Sequence, residues 1–220
     1  MKSFLIGAAT SNSGKTTFTM GLLRALRNRG YCVQPFKCGP DYIDTIFHRI
    51  ASSHESINID TFMASKEHAI NVYRKYSRYA DLSIVEGGMG LFDGYDGWHG
   101  SSAEISTLLD LPVILIVNAQ SMAYSVAPLI FGFMYFNKNV HIAGVVFNNV
   151  ASKKHLEFLA AACKEAGAEC MGFMTRNPEL VIPGRHLGLT VSEEQNMNRI
   201  IDIAAMEIEK NVDIDKILNL

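Results

Sequence analysis

An α/β fold built on a doubly wound, mainly parallel sheet is the architecture this sequence predicts, and three observations carry the prediction. Short apolar runs recur along the chain, apolar on consecutive positions as in strands covered on both faces. Helical patterns or polar, glycine-containing loops follow them, the alternation that right-handed crossovers between parallel strands require. Glycine-rich and acidic segments fall just beyond the carboxyl ends of the runs, where ligands of such sheets bind.

The first strand is expected at "SFLIGAA", from Ser3. After it, "TTFTMGLLRALRNRG" places Phe18, Leu22, Leu23 and Leu26 at helical spacing and stops at Gly30. Further strands are expected at "YCVQPFK" from Tyr31, "LSIVEG" from Leu82, "PVILIVNA" from Pro112, "IAGVVFN" from Ile142 and "ECMGFM" from Glu169. The pattern "KKHLEFLAAACKEAG" repeats the design of the first helix and stops at Gly167. The apolar run from Ser125 to Phe136 is too short for the roughly 20 residues of a membrane-spanning helix, and a buried helix is expected there.

With 220 residues, 48% of them hydrophobic, the chain can bury a full core, and no linker-like change of composition divides it. Twenty basic and 22 acidic side chains leave a formal charge of -2, so neither a nucleic acid nor a membrane partner is expected. Cys32, Cys38, Cys163 and Cys170 form no CxxC pair, and no secretory leader pattern opens the sequence. The expectation is a cytoplasmic protein with reduced thiols.

The stretch "AATSNSGKTT", Ala8 to Thr17, has the context of a phosphate-binding loop, with a strand before it and an amphipathic helix after it. Backbone N–H groups of Asn12, Ser13, Gly14, Lys15, Thr16 and Thr17 can converge on a phosphate at the positive end of the helix. Lys15 can reach the outer phosphates of ATP, and the Thr16 hydroxyl can bind Mg²⁺. An ordinary strand-to-helix turn capped by Ser11 or Ser13 is the simpler alternative.

Two acidic loops follow later strands. In "PFKCGPDYIDTIFH", Lys37 stands at the strand end and Asp41 and Asp44 three residues apart; in "VEGGMGLFDG", Glu86 stands at the strand end and Asp93 beyond a glycine-rich turn. Solvated caps would explain these carboxylates in isolation. Opposite a phosphate loop, Glu86 with Asp44 or Asp41 suits Mg²⁺, which takes oxygen ligands and only one or two protein carboxylates. Lys37 is long enough to neutralise a transferring phosphoryl group. His48 and His186 are expected to be packing or hydrogen-bonding residues, and Trp98 either packs or lines a large planar substrate.

Together these segments resemble the cobyrinic acid a,c-diamide synthase family, within the wider group that includes dethiobiotin synthetase. The resemblance runs from Phe4 to Leu220 and is carried by the loop and acidic segments above and by "NIDTFM", "EGGMGLFDG", "GSSAEISTLLDLPVILIVNA", "GVVFNNV" and "RNPELVIPGRHLGL". In that group the loop has one extra residue before GKT, so Ala8 is the equivalent of the leading glycine. The resemblance implies a P-loop fold of the dethiobiotin synthetase type and a single ATP-binding synthetase domain over residues 1–220. It also implies an ATP- and Mg²⁺-dependent amidation in which a tetrapyrrole (corrinoid) carboxylate becomes an acyl phosphate and ammonia displaces the phosphate. Lys15 and Thr16 would contact phosphate and Mg²⁺, Glu86 and Asp44 the metal or phosphoryl group, Asp41 and Asp93 would serve substrate activation, and Asn148 would read the base.

Asn118 stands where the family usually has Asp, Gly88 where a bulkier residue is common, and Gly184 replaces Glu in the "PERHLGL" pattern. The family normally continues into a glutamine amidotransferase domain that supplies the ammonia, and that domain is expected to be absent from this chain. The resemblance allows a homodimer. Alternatives are a nickel-sirohydrochlorin a,c-diamide synthase, a dethiobiotin synthetase, which lacks "GPDYID", and a partitioning-type switch ATPase, which carries a second lysine where this chain has Thr10.

Overall fold

The computed structural model of the chain describes residues 2–180, 182 and 191–220. It runs β1 (Lys2–Ala8), α1 (Lys15–Asn28), β2 (Val33–Cys38), α2 (Asp44–Ser52), β3 (Ile57–Ile59), α3 (Lys66–Ser77), β4 (Leu82–Glu86) and α4 (Ser102–Leu108). There follow β5 (Val113–Asn118), α5 (Val126–Tyr135), β6 (Ile142–Val150), α6 (Lys153–Glu165), β7 (Cys170–Thr175), α7 (Val191–Asn211) and α8 (Ile214–Ile217). Among the described residues the seven strands form one sheet, ordered β3-β2-β4-β1-β5-β6-β7, with every neighbouring pair parallel.

Strand alternation divides the core into two layers. Phe4, Ile6 and Ala8 of β1 turn toward α1, α2, α7 and α8, whereas Leu5 turns with Val113 and Leu115 of β5 toward α3, α4, α5 and α6. Strand β1 passes the chain to α1 on the first face and its neighbour β4 passes it to α4 on the second. Connections that leave adjacent strands on opposite faces open a crevice at the carboxyl ends of the strands.

The predicted helix stops are built as expected. Beyond α1, Tyr31 N–H donates to Leu26 O (3.1 Å) and Gly30 N–H to Arg27 O (2.9 Å), the paired bonds of a Schellman ending. Ala168 and Gly167 repeat them on Cys163 and Lys164 beyond α6.

The structure departs from the sequence expectation in two ways. Strand β3 and helices α2, α3, α4, α7 and α8 have no counterpart among the predicted elements. Helix α5 is not buried as a whole: Val126, Ala127 and Ile130 face the core, but Phe131, Tyr135 and Phe136 are 55, 56 and 75% exposed. Its apolar residues run all the way round, and only one side meets the sheet layer. Among the described residues no helix is long and apolar enough to cross a membrane.

Arg24 joins three helices on the first face. Its buried guanidinium donates to the carbonyls of Ile50 (3.0 Å) and Ala51 (3.2 Å) near the end of α2, to Asn198 Oδ1 (2.8 Å) and to Asp202 of α7. A positive charge there also favours the negative end of α2. Arg24→Met is expected to lower the unfolding free energy by about 2–3 kcal/mol, because buried carbonyls lose a charged donor. Asp202→Asn, at an exposed carboxylate, should cost less than about 1 kcal/mol; urea unfolding of the two variants checks the contrast.

Candidate active site

The loop between β1 and α1 takes left-handed backbone at Asn12 (φ 59°) and Gly14 (φ 96°). Ala8 and Ala9 stay out of that region, so the absence of the usual leading glycine places no strain on the loop. Gly14 is required on two counts. Its φ is positive, and a Cβ there would lie 2.0 Å from Asn148 Nδ2. The Asn148 amide braces the loop by donating to Ser13 O (3.0 Å), and Ser13 Oγ donates to Thr10 O (2.8 Å). Among the described residues no side chain caps α1, so neither serine plays the capping part, and the first-turn N–H groups face the loop. Lys15 is buried and donates to Met89 O (2.8 Å) in the loop after β4. Burial pushes its ammonium pKa down from the ordinary value.

Strand parity and register assemble the next layer. Lys37 and Glu86 are direct register partners on β2 and β4, and Glu86 is also opposite Ile6 of β1. Glu86 follows Ile84 by two residues and Lys37 follows Val33 by four, so both face the α1 and α2 layer. Asp44 and His48, four residues apart on α2, share one side of that helix. Lys37 Nζ donates to Asp44 Oδ2 (2.7 Å), Glu86 Oε1 (2.8 Å) and Gly87 O (3.1 Å), which takes up all three ammonium hydrogens. The Thr16 hydroxyl lies 2.8 Å from Glu86 Oε1 and 3.2 Å from Asp44 Oδ2. His48 completes the cluster, with Nε2 2.6 Å from Glu86 Oε2 and Nδ1 2.9 Å from Ser56 Oγ.

Lys37, Asp44, Glu86 and His48 are all essentially buried, so the cluster is stable only because its charges are paired. Burial alone would push the Glu86 carboxyl up, but Lys37 and His48 outweigh it and hold it well below the usual carboxylate range. Asp44 goes the other way, raised by burial and by the charge on Glu86. Lys37 would be lowered by burial, but the two carboxylates raise it.

Among the described residues no group of three or more His, Cys, Asp or Glu side chains could hold a metal alone. The donor set nonetheless fits Mg²⁺, which keeps waters and phosphate oxygens and takes few protein ligands. Among the described residues the buried Asp44 Oδ1 has no hydrogen-bond partner, and the Thr16 hydroxyl is beside the same carboxylate. Both Glu86 oxygens already have partners, so Glu86 suits a position behind the ligands, orienting Thr16.

The phosphate loop and both acidic loops open onto one cavity of about 1150 Å³. Asp41 and Asp93 both line it, and each also makes a local turn. Asp41 Oδ1 accepts from the N–H groups of Ile43 (2.8 Å) and Asp44 (2.9 Å), and Asp93 Oδ2 accepts from Gly90 N–H (3.0 Å). Trp98 packs against the second apolar layer and is not part of the cavity lining; Tyr95 of the same loop and Phe62 after β3 line it. Asn118 uses its carbonyl oxygen to accept from Asn149 and from Gln120 N–H, a task an aspartate could also perform. Gly184 and His186 lie outside the described residues. His48 is the buried hydrogen-bonding residue the sequence leads one to expect, but its partner Glu86 was not foreseen, and its four-residue spacing from Asp44 is the signal that could have placed it in the cluster.

Lys37→Met leaves two buried carboxylates with no ammonium between them. An unfolding free-energy loss of about 3 kcal/mol or more is expected, measured by urea unfolding in chelator-treated buffer. A loss below about 1 kcal/mol would contradict the description of Lys37 as the charge that holds β2 and β4 together.

The sequence matches the CobQ/CobB/MinD/ParA nucleotide binding domain family over residues 4–189. It is 42% identical over 220 residues to a cobyrinate a,c-diamide synthase of Caldanaerobacter subterraneus, covering 99% of this chain and 48% of that protein. It is 43% identical to a protein of the same name from Dehalococcoides mccartyi (98% and 48% covered) and 42% identical to a hydrogenobyrinate a,c-diamide synthase of Brucella ovis (98% and 50% covered). The chain thus spans about half the length of these relatives. Among solved structures, the signal recognition particle 54 kDa protein of Aeropyrum pernix in complex with GDP superposes with a TM-score of 0.53 at 17% identity, covering 95% of this chain and 48% of that one. That likeness supports the fold alone. With a braced phosphate loop, an uncapped helix behind it and this match over most of its length, the chain belongs to the CobQ/CobB/MinD/ParA nucleotide-binding domain family.

Proposed function

We propose that this chain carries out ATP- and Mg²⁺-dependent activation and amidation of tetrapyrrole side-chain carboxylates, the a and c groups of a corrinoid. The observation that carries the reading is the single cavity onto which the phosphate loop, the Thr16–Asp44–Glu86 cluster and the acidic loops all open. A carboxylate oxygen of the substrate attacks the γ-phosphorus of ATP, the bond to the β,γ-bridging oxygen breaks, and ADP leaves. Ammonia then attacks the acyl carbon, loses a proton, and expels inorganic phosphate to leave the amide. Bound Mg²⁺ neutralises phosphate charge; Thr16 and Asp44 Oδ1 are the groups that would hold it.

Lys15 moves from Met89 O to the outer phosphates, where a charged donor in a partly dry loop acts most strongly. Lys37, with all three hydrogens engaged, acts by fixing the two carboxylates and not by reaching the phosphoryl group. Asp41 and Asp93 orient the substrate from the cavity wall, and Asn148 contacts the base from its place against the loop. The names of the relatives, cobyrinate and hydrogenobyrinate, support a corrinoid over nickel sirohydrochlorin.

The nitrogen donor for the isolated chain is ammonia. Cys38 and Cys163 are buried, and burial pushes both thiols up to about 12, far from the thiolate that glutamine hydrolysis needs. Cys32, whose sulfur lies 3.5 Å from His54 Nε2, precedes β2 at the end of the sheet away from the phosphate loop.

Lys15→Ala is expected to weaken MgATP binding on the order of ten- to hundredfold by calorimetry, the loss of one charged hydrogen bond. Asp44→Asn should shrink the difference between nucleotide affinity with and without Mg²⁺; an undiminished difference removes Asp44 from the metal shell. The reaction itself is tested with MgATP, a corrinoid carboxylate and either ammonium at alkaline pH or glutamine, followed by chromatography and phosphate release. Amide is expected with ammonium only. Bound MgATP with no amide from any tetrapyrrole would overturn the proposal.

A further inference from the structure

Two further loops contribute to the lining of the cavity, and a single carboxylate joins them. The first, after β3, carries Asp60, Thr61 and Phe62. Asp60 accepts from Phe62 N–H through Oδ1 and from Met63 N–H through Oδ2, each at 3.0 Å, a turn that presents the Phe62 ring outward. The second, between Gly94 and Gly100, is closed by Tyr95 N–H donating to His99 O (2.9 Å) and Gly94 N–H to Gly97 O (3.0 Å). Gly100 has φ 77°, and a Cβ there would lie 2.6 Å from Tyr95 Cδ1, so the Tyr95 ring lies close against a position that only glycine fills.

Glu104, in the first turn of α4, joins both loops through Oε2 and ties the start of α3 to the second loop through Oε1. Oε1 lies 2.8 Å from Lys66 Nζ, just beyond the first loop, and 3.3 Å from His99 Nδ1 of the second. Oε2 accepts from Thr61 Oγ1 of the first loop and from Gly100 N–H of the second, both at 2.8 Å. The carboxylate is buried at 6% exposure. The two loops therefore meet at Glu104, and their rings meet above it: Phe62 and Tyr95 lie 4.9 Å apart between centroids, tilted by 51°. Both rings line the cavity, yet they remain 67% and 61% exposed. Exposed aromatic faces held in place over a cavity fit a broad apolar ligand. A cavity of about 1150 Å³ exceeds the usual range for one small ligand.

We propose that Phe62 and Tyr95 form the face that receives the tetrapyrrole macrocycle, and that Glu104 is the positioning residue holding the two loops together beneath it. The inference rests on the amidation reading above and adds to it the surface that selects a wide macrocycle over a small carboxylic acid. Phe62 and Tyr95 touch the ring system, whereas Glu104 acts only through Thr61, Lys66, His99 and Gly100.

The test is a titration of the full 220-residue chain with a cobyrinate-type corrinoid, followed by its visible absorbance, with MgATP affinity measured in parallel. Phe62→Ala and Tyr95→Ala are each expected to weaken corrinoid binding about tenfold or more, the scale of one lost stacking face, while MgATP affinity stays within about twofold. Phe62→Tyr and Tyr95→Phe keep a ring and should keep the affinity. Glu104→Gln leaves one oxygen to accept where two did, and in the ammonium assay it should raise KM for the corrinoid far more than it lowers kcat. Parent-level corrinoid affinity in both alanine variants overturns the aromatic face and leaves the amidation reading standing. Equal losses in kcat and KM for Glu104→Gln, with MgATP affinity lowered too, overturn its positioning role. If Glu104→Gln does not fold, the two exposed rings still decide the macrocycle site. A parent chain that binds MgATP but no corrinoid overturns both readings at once.

Discussion

The ion cluster that joins Lys37, Glu86 and Asp44 across β2 and β4 is the constraint on which the rest of the site depends. One ammonium placed between two buried carboxylates is tolerable only if strand register, helix position and hydrogen bonding are all satisfied together. Register puts Lys37 opposite Glu86. The placement of α2 then brings Asp44 and His48 in from the side, and α1 brings Thr16. A slip of one residue in β4 would turn Glu86 into the other layer and leave Lys37 buried without its partner.

The same cluster explains why two carboxylates close together behave differently. Glu86 has both oxygens occupied and is held ionised by its neighbours, whereas Asp44 keeps one oxygen without a partner and is raised by the charge beside it. The orphaned oxygen is costly in a buried place, and in the proposed reaction the metal removes that cost. Lys15 is balanced in a similar way, since its bond to Met89 O supplies a partner to a buried ammonium that has no ion pair among the described residues.

Much of this was legible in the sequence, because six strands are largely apolar runs and α1 and α6 stop at glycines. Strand β3 was not: three residues, Ile57 to Ile59, with an asparagine in the middle, offer no run to detect, and pairing with β2 alone defines them. The reading of α5 failed because a helix apolar on all sides does not reveal which side meets the sheet. Among site residues, Lys15 and Thr16 stood out by the phosphate-loop pattern, Lys37 and Glu86 by position at strand ends and Asp44 by its acidic loop, and they converge. The engagement of all three Lys37 hydrogens was invisible, since it depends on the relative placement of β2, α2 and β4. Glu104 had a misleading local signature. Ser101 and Glu104 have the spacing of a capping box, and Ser101 does accept from Glu104 N–H (3.2 Å), but the Glu104 carboxylate reaches past the Ser101 N–H to Gly100 N–H and across to Thr61.

The strand order also governs when the site can come into being. Strand β4 lies between β1 and β2, and those two strands are not neighbours. The phosphate loop is made before β4, yet Thr16 and Lys37 have no carboxylate from the sheet until Glu86 is in place. Nucleation therefore has to close a long loop before any binding chemistry exists, a non-local step of the kind that slows folding. A nascent chain short of β4 holds a loop with the right residues and no site, so nucleotide binding reports that the central strands have been threaded in order.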